Sequence, residues 1–466
     1  MTASLTHNGR APYHLTLPHS VAQAGTFFFL LFLFSEPFQG VFNNGQFGEL
    51  QGFKPFNLLS AVVLAYLVFD TAPLHATDKI ERTSIRIFLL YFATFAIALI
   101  RAVPNAPLLH SRFPGIPGSY VDFVLSACIV PTFYTLSFLF ILRRMCSFQE
   151  LEKITMVICL SILLLSISFV ALVLMNPSVL LSGHAGGMTD SDRDEMAQLC
   201  IAYFGSHYNV IGSMFIFTVP LLLYRALTRG ALWIAPLCLS LLAVLLLQSR
   251  TTLVAVAASC SLFLILRRRF GILVFGAGAA GVTSLVWSGP TVDALLSVGV
   301  GSGSVVSADT LLTGRVDHIW LPLLEEWTSN IGLFLFGAGR MGIGTSQLWN
   351  TGTLLEKIVA HNAIIEFFLD CGVILTGVAL MFLMAGTVTA WRVGRRLNSD
   401  LYWALFASMF GCGISMVTGR DILPTIENMY AFPIIAMMIN VARLRHLDAY
   451  RSRLKTIQKP EEIVAR

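Results

Sequence analysis

Four arginines and one histidine stand in sequence contexts where their side chains could bind phosphate oxygens and move a proton. They are Arg250 in QSRTT, Arg315 in TGRVDHIW, Arg340 in FGAGRMGIG, Arg420 in TGRDILP and His361 at the start of HNAIIEFFLDCG. A guanidinium group matches phosphate oxygens two at a time, and an imidazole titrates near neutral pH. A single outward arginine is most often a solvated cation, but the set together fits a diphosphate site better.

Polar residues continue from His361 along what we expect to be one helix face. Asn362, Glu366 and Asp370 recur every four residues, which is the spacing of neighbours on a helix. Asp370 would then lie about 13 Å further along the axis than His361. Acidic side chains at membrane depth line a polar cavity or pair with a cation. The alternative is that His361 and Asn362 only cap the helix, and that the acids further along it pair with arginines for a structural reason.

The rest of the chain is mostly apolar and must hold these groups in place. It has 56% hydrophobic residues, 12% charged residues and a mean hydropathy of +0.74, whereas a soluble domain carries about 25% charged residues. Apolar runs of about 20 residues recur, the length of a helix that crosses a ~30 Å hydrocarbon core. The composition predicts an all-α polytopic membrane protein, with residues 1–466 as one transmembrane domain of about twelve helices. The expected spans are 21–38, 55–71, 87–103, 121–142, 154–176, 203–224, 231–248, 251–266, 271–288, 362–390, 401–418 and 428–442.

The positions of lysine and arginine predict the orientation of these spans. With the N-terminus in the cytoplasm, 22 of the 31 basic residues fall on the cytoplasmic side. Both termini are then cytoplasmic, with a tail at 443–466, and two long loops, 177–202 and 289–361, face outward. We expect the first loop to be mobile or to act as a lid. The second should contain surface helices, since Ile319 and Leu323 recur at helical spacing.

Several classes of chemistry lack a sequence signal. The chain has no nucleotide-binding glycine loop, zinc motif or serine nucleophile elbow, and none of its eight cysteines forms a CxxC pair. We expect no metal, no cofactor and no nucleic-acid partner.

Four motifs resemble those of the O-antigen ligase / O-antigen polymerase family of bacterial envelope glycosyltransferases. They are SRT at 249–251, TGR followed by IW at 313–320, LFLFGAGRMGIG at 333–344, and HN…E…G at 361–372. HN with nine residues before a glycine is the most specific of them and resembles the ligase motif. The resemblance covers roughly residues 205–440 together with the twelve-span layout.

The resemblance implies a GT-C-like fold and an inverting glycosyl transfer that needs neither metal nor nucleotide. The donor would be a glycan on undecaprenyl diphosphate at the periplasmic face of the bacterial inner membrane. A ligase passes the glycan to lipid A–core, whereas a polymerase passes it to a second lipid-linked glycan.

The same resemblance implies roles for individual residues, with part of the active site on the loop 289–361. Arg250 and Arg315 would bind the leaving diphosphate, and His361 would accept or orient the proton of the acceptor hydroxyl. The expected substrate-binding residues are Asn362, Glu366, Arg340, Arg420 and Asp421.

Two other classes of protein remain as alternatives. A twelve-span transporter or a flippase of lipid-linked glycans would favour repeat symmetry between the halves of the chain, and none is visible. Such a protein would also have no need of the long outward loop. An envelope scaffold would leave the arginines and the acids without a role.

Overall fold

The helical class that the composition predicts is confirmed. The computed structural model describes residues 19–39, 54–69, 79–112, 124, 129–145, 147–176, 190–247, 249–274, 276, 316–349, 360–417 and 422–458. These residues are 88% helical, and no strand occurs among them. All structural statements that follow concern this part of the chain.

Sixteen α-helices follow one another along the described residues. They are α1 (His19–Ser35), α2 (Pro55–Phe69), α3 (Lys79–Ala102), α4 (Ala106–Arg112), α5 (Val130–Tyr134), α6 (Leu136–Arg144), α7 (Phe148–Met175), α8 (Asp190–Phe204), α9 (Tyr208–Arg229), α10 (Ile234–Leu246), α11 (Arg250–Leu266), α12 (Leu321–Ser329), α13 (Ile331–Phe336), α14 (Ala363–Leu397), α15 (Asp400–Met416) and α16 (Ala431–Gln458). Short 3₁₀ turns lie at Glu36–Phe38, Val103–Asn105, Ala231–Trp233, Gly342–Thr345 and Gln347–Trp349, and a π-helical turn at Val316–Trp320 leads into α12.

Five stretches are long and apolar enough to cross a membrane, so the chain is a membrane protein by the length and composition of its helices. They are Val21–Phe38, Arg82–Arg112, Phe148–Met175, Tyr208–Arg229 and Ala363–Leu397. Three further apolar helices are shorter, at Pro55–Phe69, Ala231–Leu246 and Thr251–Leu266. Twelve spans therefore remain a prediction. The span expected at 271–288 lies largely outside the described residues.

Two segments differ from the sequence prediction. The stretch 177–202 was expected to be mobile or a lid; its second half lies in α8, whose Met196 and Cys200 are fully buried, so this half is packed against the bundle. A polar beginning hid the apolar positions by which this helix packs. The tail expected from residue 443 is helical up to Gln458, because α16 continues past the apolar part of its sequence.

α9 is the centre of the bundle. All its residues from Ile211 to Arg225 are buried, and it packs against both α11 and α15. Small residues permit this close approach. A Cβ atom at Gly212 would lie 2.3 Å from Oγ1 of Thr252 in α11.

The basic ends of two helices meet on one side of the bundle. Arg267, just past α11, donates to Oδ1 of Asn398 at 2.9 Å and forms an ion pair with Asp400 at the start of α15. The end of α11 therefore meets the start of α15, so these two helices run antiparallel. The basic residues after α11 and those at the end of α14 share one side, as the predicted topology requires.

A kink at Gly372 lets α14 approach the short helix α13 with backbone against backbone. Gly372 has φ of 75° and ψ of 175°, so the helix is interrupted there. A Cβ atom at this position would lie 2.3 Å from the carbonyl oxygen of Leu335. Gly337, at the end of α13, has φ of 69°, and its Cβ would lie 2.4 Å from the carbonyl carbon of Asp370. Only glycine fits both backbone conformation and contact at these two positions.

Replacing Gly372 by alanine should destabilise the protein, because the new Cβ meets backbone and the positive φ adds strain of about 1–3 kcal/mol. The matched control is Gly377→Ala five residues further along α14, where a Cβ meets nothing within 4 Å and alanine favours the helix by up to about 1 kcal/mol. The melting temperature of the purified protein in detergent should fall for Gly372→Ala and stay or rise for Gly377→Ala. Equal melting temperatures would contradict this account of the kink.

Candidate functional site

Asn362 fixes the start of α14. Its Oδ1 accepts hydrogen bonds from the backbone N–H groups of Ile364 and Ile365 at 3.0 and 3.1 Å, which is the geometry of a helix N-cap. Its Nδ2 donates to the carbonyl oxygen of Val417 at 3.2 Å, just past α15. The capping interpretation is therefore correct for Asn362, and the amide joins the outer ends of two helices. Its predicted contact with substrate stays a prediction.

His361 precedes this cap and has a left-handed backbone, with φ of 55°. That conformation is uncommon for residues other than glycine and persists only where the surroundings fix it. Its neighbour Ala360 is held by two hydrogen bonds, one at its N–H and one at its carbonyl. The Ala360 N–H donates to Oε1 of Glu366 at 3.2 Å, and its carbonyl accepts from Nε1 of Trp320 at 2.6 Å. Contacts on both sides thus hold His361 at the helix start, where the helix dipole is positive.

Glu366 and Asp370 lie on one face of α14, as their spacing predicted. Glu366 is buried and lies within electrostatic reach of Asp370, Arg340 and Glu427. Besides its bond to the Ala360 amide, it therefore faces two other carboxyl groups and one guanidinium. This arrangement brings together the two acids and the arginine of the glycine-rich turn.

Arg340 and Asp370 form a buried ion pair. Nη1 of Arg340 lies 3.4 Å from Oδ2 of Asp370, with side-chain exposures of 11% and 5%. The other carboxylate oxygen accepts from the Gly342 N–H at 2.7 Å. The backbone N–H of Arg340 donates to the carbonyl of Ala98 in α3 at 2.8 Å. Arg340 therefore connects the turn to α3 and α14, and its predicted role in binding substrate remains untested.

The kink in α14 supplies acceptors for the glycine-rich turn. The N–H of Ala338 donates to the carbonyl of Leu369 at 2.8 Å, and that of Gly339 donates to the carbonyl of Asp370 at 2.9 Å. Carbonyls at a helix interruption lack their usual partners further along the chain. The indole of Trp327 in α12 also donates to the Leu369 carbonyl, at 3.1 Å. Three separate segments thus meet where α14 is broken.

Two arginines that the sequence prediction did not assign to the site hold the other side of the turn. Arg101 donates to the carbonyl of Phe336 at 2.8 Å. Arg112 donates to the carbonyls of Gly344 and Ser346 at 2.6 and 3.0 Å. The sequence signal for these two arginines was their position near the end of a predicted span. The spacing of the residues does not relate α3 and α4 to a turn more than 200 residues away.

A cleft of about 590 Å³ opens between the end of α3 and α13. It is lined by Ile100, Arg101, Pro104, Asn105, Leu333, Ala338 and Thr345. The lining combines one cation and two neutral hydrogen-bonding side chains with apolar walls. Such a surface suits an amphiphile better than a fully polar molecule.

The start of α11 lies level with the start of α14. A Cβ atom at Gly411 of α15 would lie 3.2 Å from the carbonyl oxygen of Ala255 in α11, and these helices are antiparallel. Counting outward at 1.5 Å per residue, Arg250 and Val417 both lie about 8–9 Å beyond this contact. Val417 is bonded to Asn362. The backbone of Arg250 therefore lies at the end of the bundle that carries His361, whereas its side chain falls outside the described part of the structure.

Arg315, Arg420 and Asp421 lie outside the described residues. The nearest described residues are Val316 after Arg315, and Val417 and Ile422 on either side of 418–421. Val417 is bonded to the cap of α14, and Ile422 packs with Ala363 and Phe367 at the start of the same helix. The catalytic role predicted for Arg315 and the substrate contacts predicted for Arg420 and Asp421 remain predictions.

Across the ranges that the structure covers, no group of three histidine, cysteine or acidic side chains is placed to hold a metal ion. Comparison with known proteins does not assign the chain to a family: no family model matches the chain, and no curated protein sequence matches it. Function must therefore be argued from the site itself.

Replacing Asp370 by asparagine should cost about 3–5 kcal/mol of unfolding free energy, because it leaves the Arg340 cation buried without its counter-charge. The matched control is Asp400→Asn, which breaks the more exposed pair with Arg267 (side-chain exposures of 36% and 23%) and should cost at most about 1 kcal/mol. Unfolding in denaturant, followed by tryptophan fluorescence, measures both.

The double variant Arg340→Met with Asp370→Leu should be more stable than Asp370→Asn alone, because it removes both charges together. Equal losses for Asp370→Asn and Asp400→Asn would show that the Arg340–Asp370 pair does not hold the turn.

Proposed function

We propose that this protein transfers a glycan from a lipid diphosphate to an acceptor hydroxyl at the outer face of the bacterial inner membrane. The donor is a glycan on undecaprenyl diphosphate, and the acceptor of a ligase of this kind is lipid A–core. Both termini are cytoplasmic, and the twelve-span, GT-C-like arrangement belongs to the same proposal. The motifs that resemble the O-antigen ligase / O-antigen polymerase family supply the substrate class.

One observation supports the proposal more than any other. Asn362 joins the start of α14 to the end of α15 through Val417, and the start of α11 lies level with them, so that the backbones of Arg250 and His361 share one end of the bundle. The segment that begins at Val316 packs there too, because Ile319 and Ala360 belong to one buried cluster. Residues far apart in sequence thus lie at one end of the bundle, which supports a site for two large substrates.

The arginines would act on the leaving group. When the bond between the anomeric carbon and the phosphate oxygen breaks, negative charge grows on the lipid diphosphate. Arg250 and Arg315 would neutralise that charge, since fixed cations stabilise a developing anion without reorganising. The mixed lining of the cleft beside Arg101 suits the lipid end of such a donor.

His361 would act on the acceptor. The acceptor oxygen attacks the anomeric carbon with inversion, and its proton passes to the imidazole as the phosphate leaves. The task needs a base that titrates near the working pH. Asn362 and Glu366 support this role indirectly, because they fix the backbone on either side of the histidine. Holding both substrates in register would supply much of the remaining rate.

A polymerase would use the same chemistry with a second lipid-linked glycan as acceptor. The ligase and the polymerase activities therefore differ only in the acceptor that binds beside His361. A flippase or transporter would need none of this chemistry. The motifs that resemble the glycosyltransferase family, together with the absence of visible repeat symmetry, favour an enzyme over a transporter.

Replacing His361 or Arg315 by alanine should reduce glycan attachment by about 10²–10³-fold, the usual loss for one group that stabilises the transition state. The assay is a lipopolysaccharide gel from a deletion strain complemented with each variant at matched protein level. Matched controls are His110→Ala for the histidine and the exposed Arg395→Ala for the arginine, both of which should retain full activity. Wild-type attachment by His361→Ala and Arg315→Ala would reject this mechanism.

A further inference from the structure

Glu36 is an acidic side chain inside the helical bundle, and no side chain among the described residues forms an ion pair with it. It opens the 3₁₀ turn that ends α1 and has an exposed fraction of 0%. Neither of its carboxyl oxygens has a hydrogen-bond partner among the residues that the structure describes. A buried polar group without a partner is rare, and an acid at this depth commonly has a function.

The groups around Glu36 are polar but uncharged at neutral pH. Gln39 donates to the Glu36 backbone carbonyl at 3.1 Å and accepts from the hydroxyl of Tyr134 in α5 at 2.6 Å. Tyr430, fully buried before α16, lies within electrostatic reach of the Glu36 carboxyl and of Cys159 in α7. In the described part of the structure, the hydroxyls of Tyr134 and Tyr430 lie within electrostatic reach of the Glu36 carboxyl, and both are neutral at pH 7.

No described cation compensates the carboxyl. Lys54 begins the segment that leads into α2, which packs against α1, but it makes no bond to either Glu36 oxygen. An ionised carboxylate in such surroundings is far more costly than the neutral acid, because the protein replaces none of its lost hydration. A proton is the cation that this pocket fits.

The groups around Glu36 form a pocket, and residues next to the candidate site cover it. We call residues 422–430 the outer segment. Its Met429 sulfur lies 3.6 Å from the Gln39 amide nitrogen, and Tyr430 follows directly. Two residues earlier in the segment, Glu427 lies within electrostatic reach of Glu366 on α14. The outer segment therefore touches both the Glu36 pocket and the acids near His361.

We propose that Glu36 is a proton-binding site whose occupancy holds the outer segment in place. The carboxyl carries the proton while Met429 and Tyr430 cover it. When the outer segment moves away, water reaches the carboxyl, which releases the proton to solvent and becomes a carboxylate. One proton is released for each opening, and one is taken up for each closing. The proposal does not depend on glycan transfer.

The pH dependence follows from that proton. Above about pH 5 an exposed glutamate is ionised, so the open state has one proton fewer than the closed state. Raising the pH therefore favours opening, and the opening equilibrium constant increases about tenfold per pH unit. Below about pH 4 both states are protonated and the dependence disappears.

Hydrogen exchange of the full-length protein in detergent tests this from pH 5 to pH 8. Opening constants for amides of the outer segment, corrected for the intrinsic pH dependence of exchange, should increase about tenfold per pH unit in the wild type. Glu36→Gln, which keeps the shape but cannot ionise, should show a constant value. Glu325→Gln, at an exposed acid of α12, should retain the wild-type slope, and amides of α9 should show no slope.

A wild-type outer segment whose opening does not depend on pH overturns the proposal, and so does a slope that persists in Glu36→Gln. If Glu36→Gln does not fold, Glu36→Asp takes its place. It keeps a carboxyl and should keep the slope, whereas Glu36→Met, which cannot ionise, should lose it; a slope that persists in Glu36→Met overturns the proposal.

Discussion

The contact between the glycine-rich turn and the broken helix α14 determines how the segment 316–349 is held against the helical bundle. Gly337 and Gly372 bring two backbones within van der Waals distance, and two N–H groups of the turn donate to carbonyls that the kink leaves unpaired. The buried Arg340–Asp370 pair fixes the same turn through side chains. His361 stands at the start of α14. A change that loosens the contact between the glycine-rich turn and α14 should therefore also move the histidine.

Much of this arrangement could be predicted from the sequence, because it depends on local spacing. The apolar runs predicted the helical membrane class, and the i, i+4 series after His361 predicted that Glu366 and Asp370 share a face. The alternative of a capping role, which was left open, is correct for Asn362. These features concern residues within one or two turns of each other, where periodicity decides the geometry.

Other features could not be predicted, because they depend on tertiary packing between distant segments. Nothing in the local pattern pairs Arg340 with Asp370 thirty residues away, or places Arg101 and Arg112 against the turn. The helix α8 was mistaken for a mobile loop, since its polar start conceals the buried face. The Glu36 pocket likewise appears only when α1, α5, α7 and the outer segment are assembled.

Positioning is the common theme of the candidate site. The enzyme that we propose needs cations at a leaving diphosphate and a base at the acceptor, and these come from segments that are far apart in the chain. The helical bundle brings the backbones of Arg250 and His361 to one end, where the cap, the ion pair and the glycine contact hold α14 against its neighbours. The Glu36 pocket lies behind the outer segment at that same end, so that a proton there can influence how firmly the site is closed.

The most direct test of enzymatic transfer is a reaction of the purified protein in detergent, without sealed vesicles, with a labelled glycan on undecaprenyl diphosphate and with lipid A–core or a second lipid-linked glycan. We predict a new covalent glycan–acceptor product, formed together with an equal amount of free lipid diphosphate. Recovery of the donor unchanged, while the same preparation moves it across vesicle membranes, would contradict the enzyme assignment and favour a flippase.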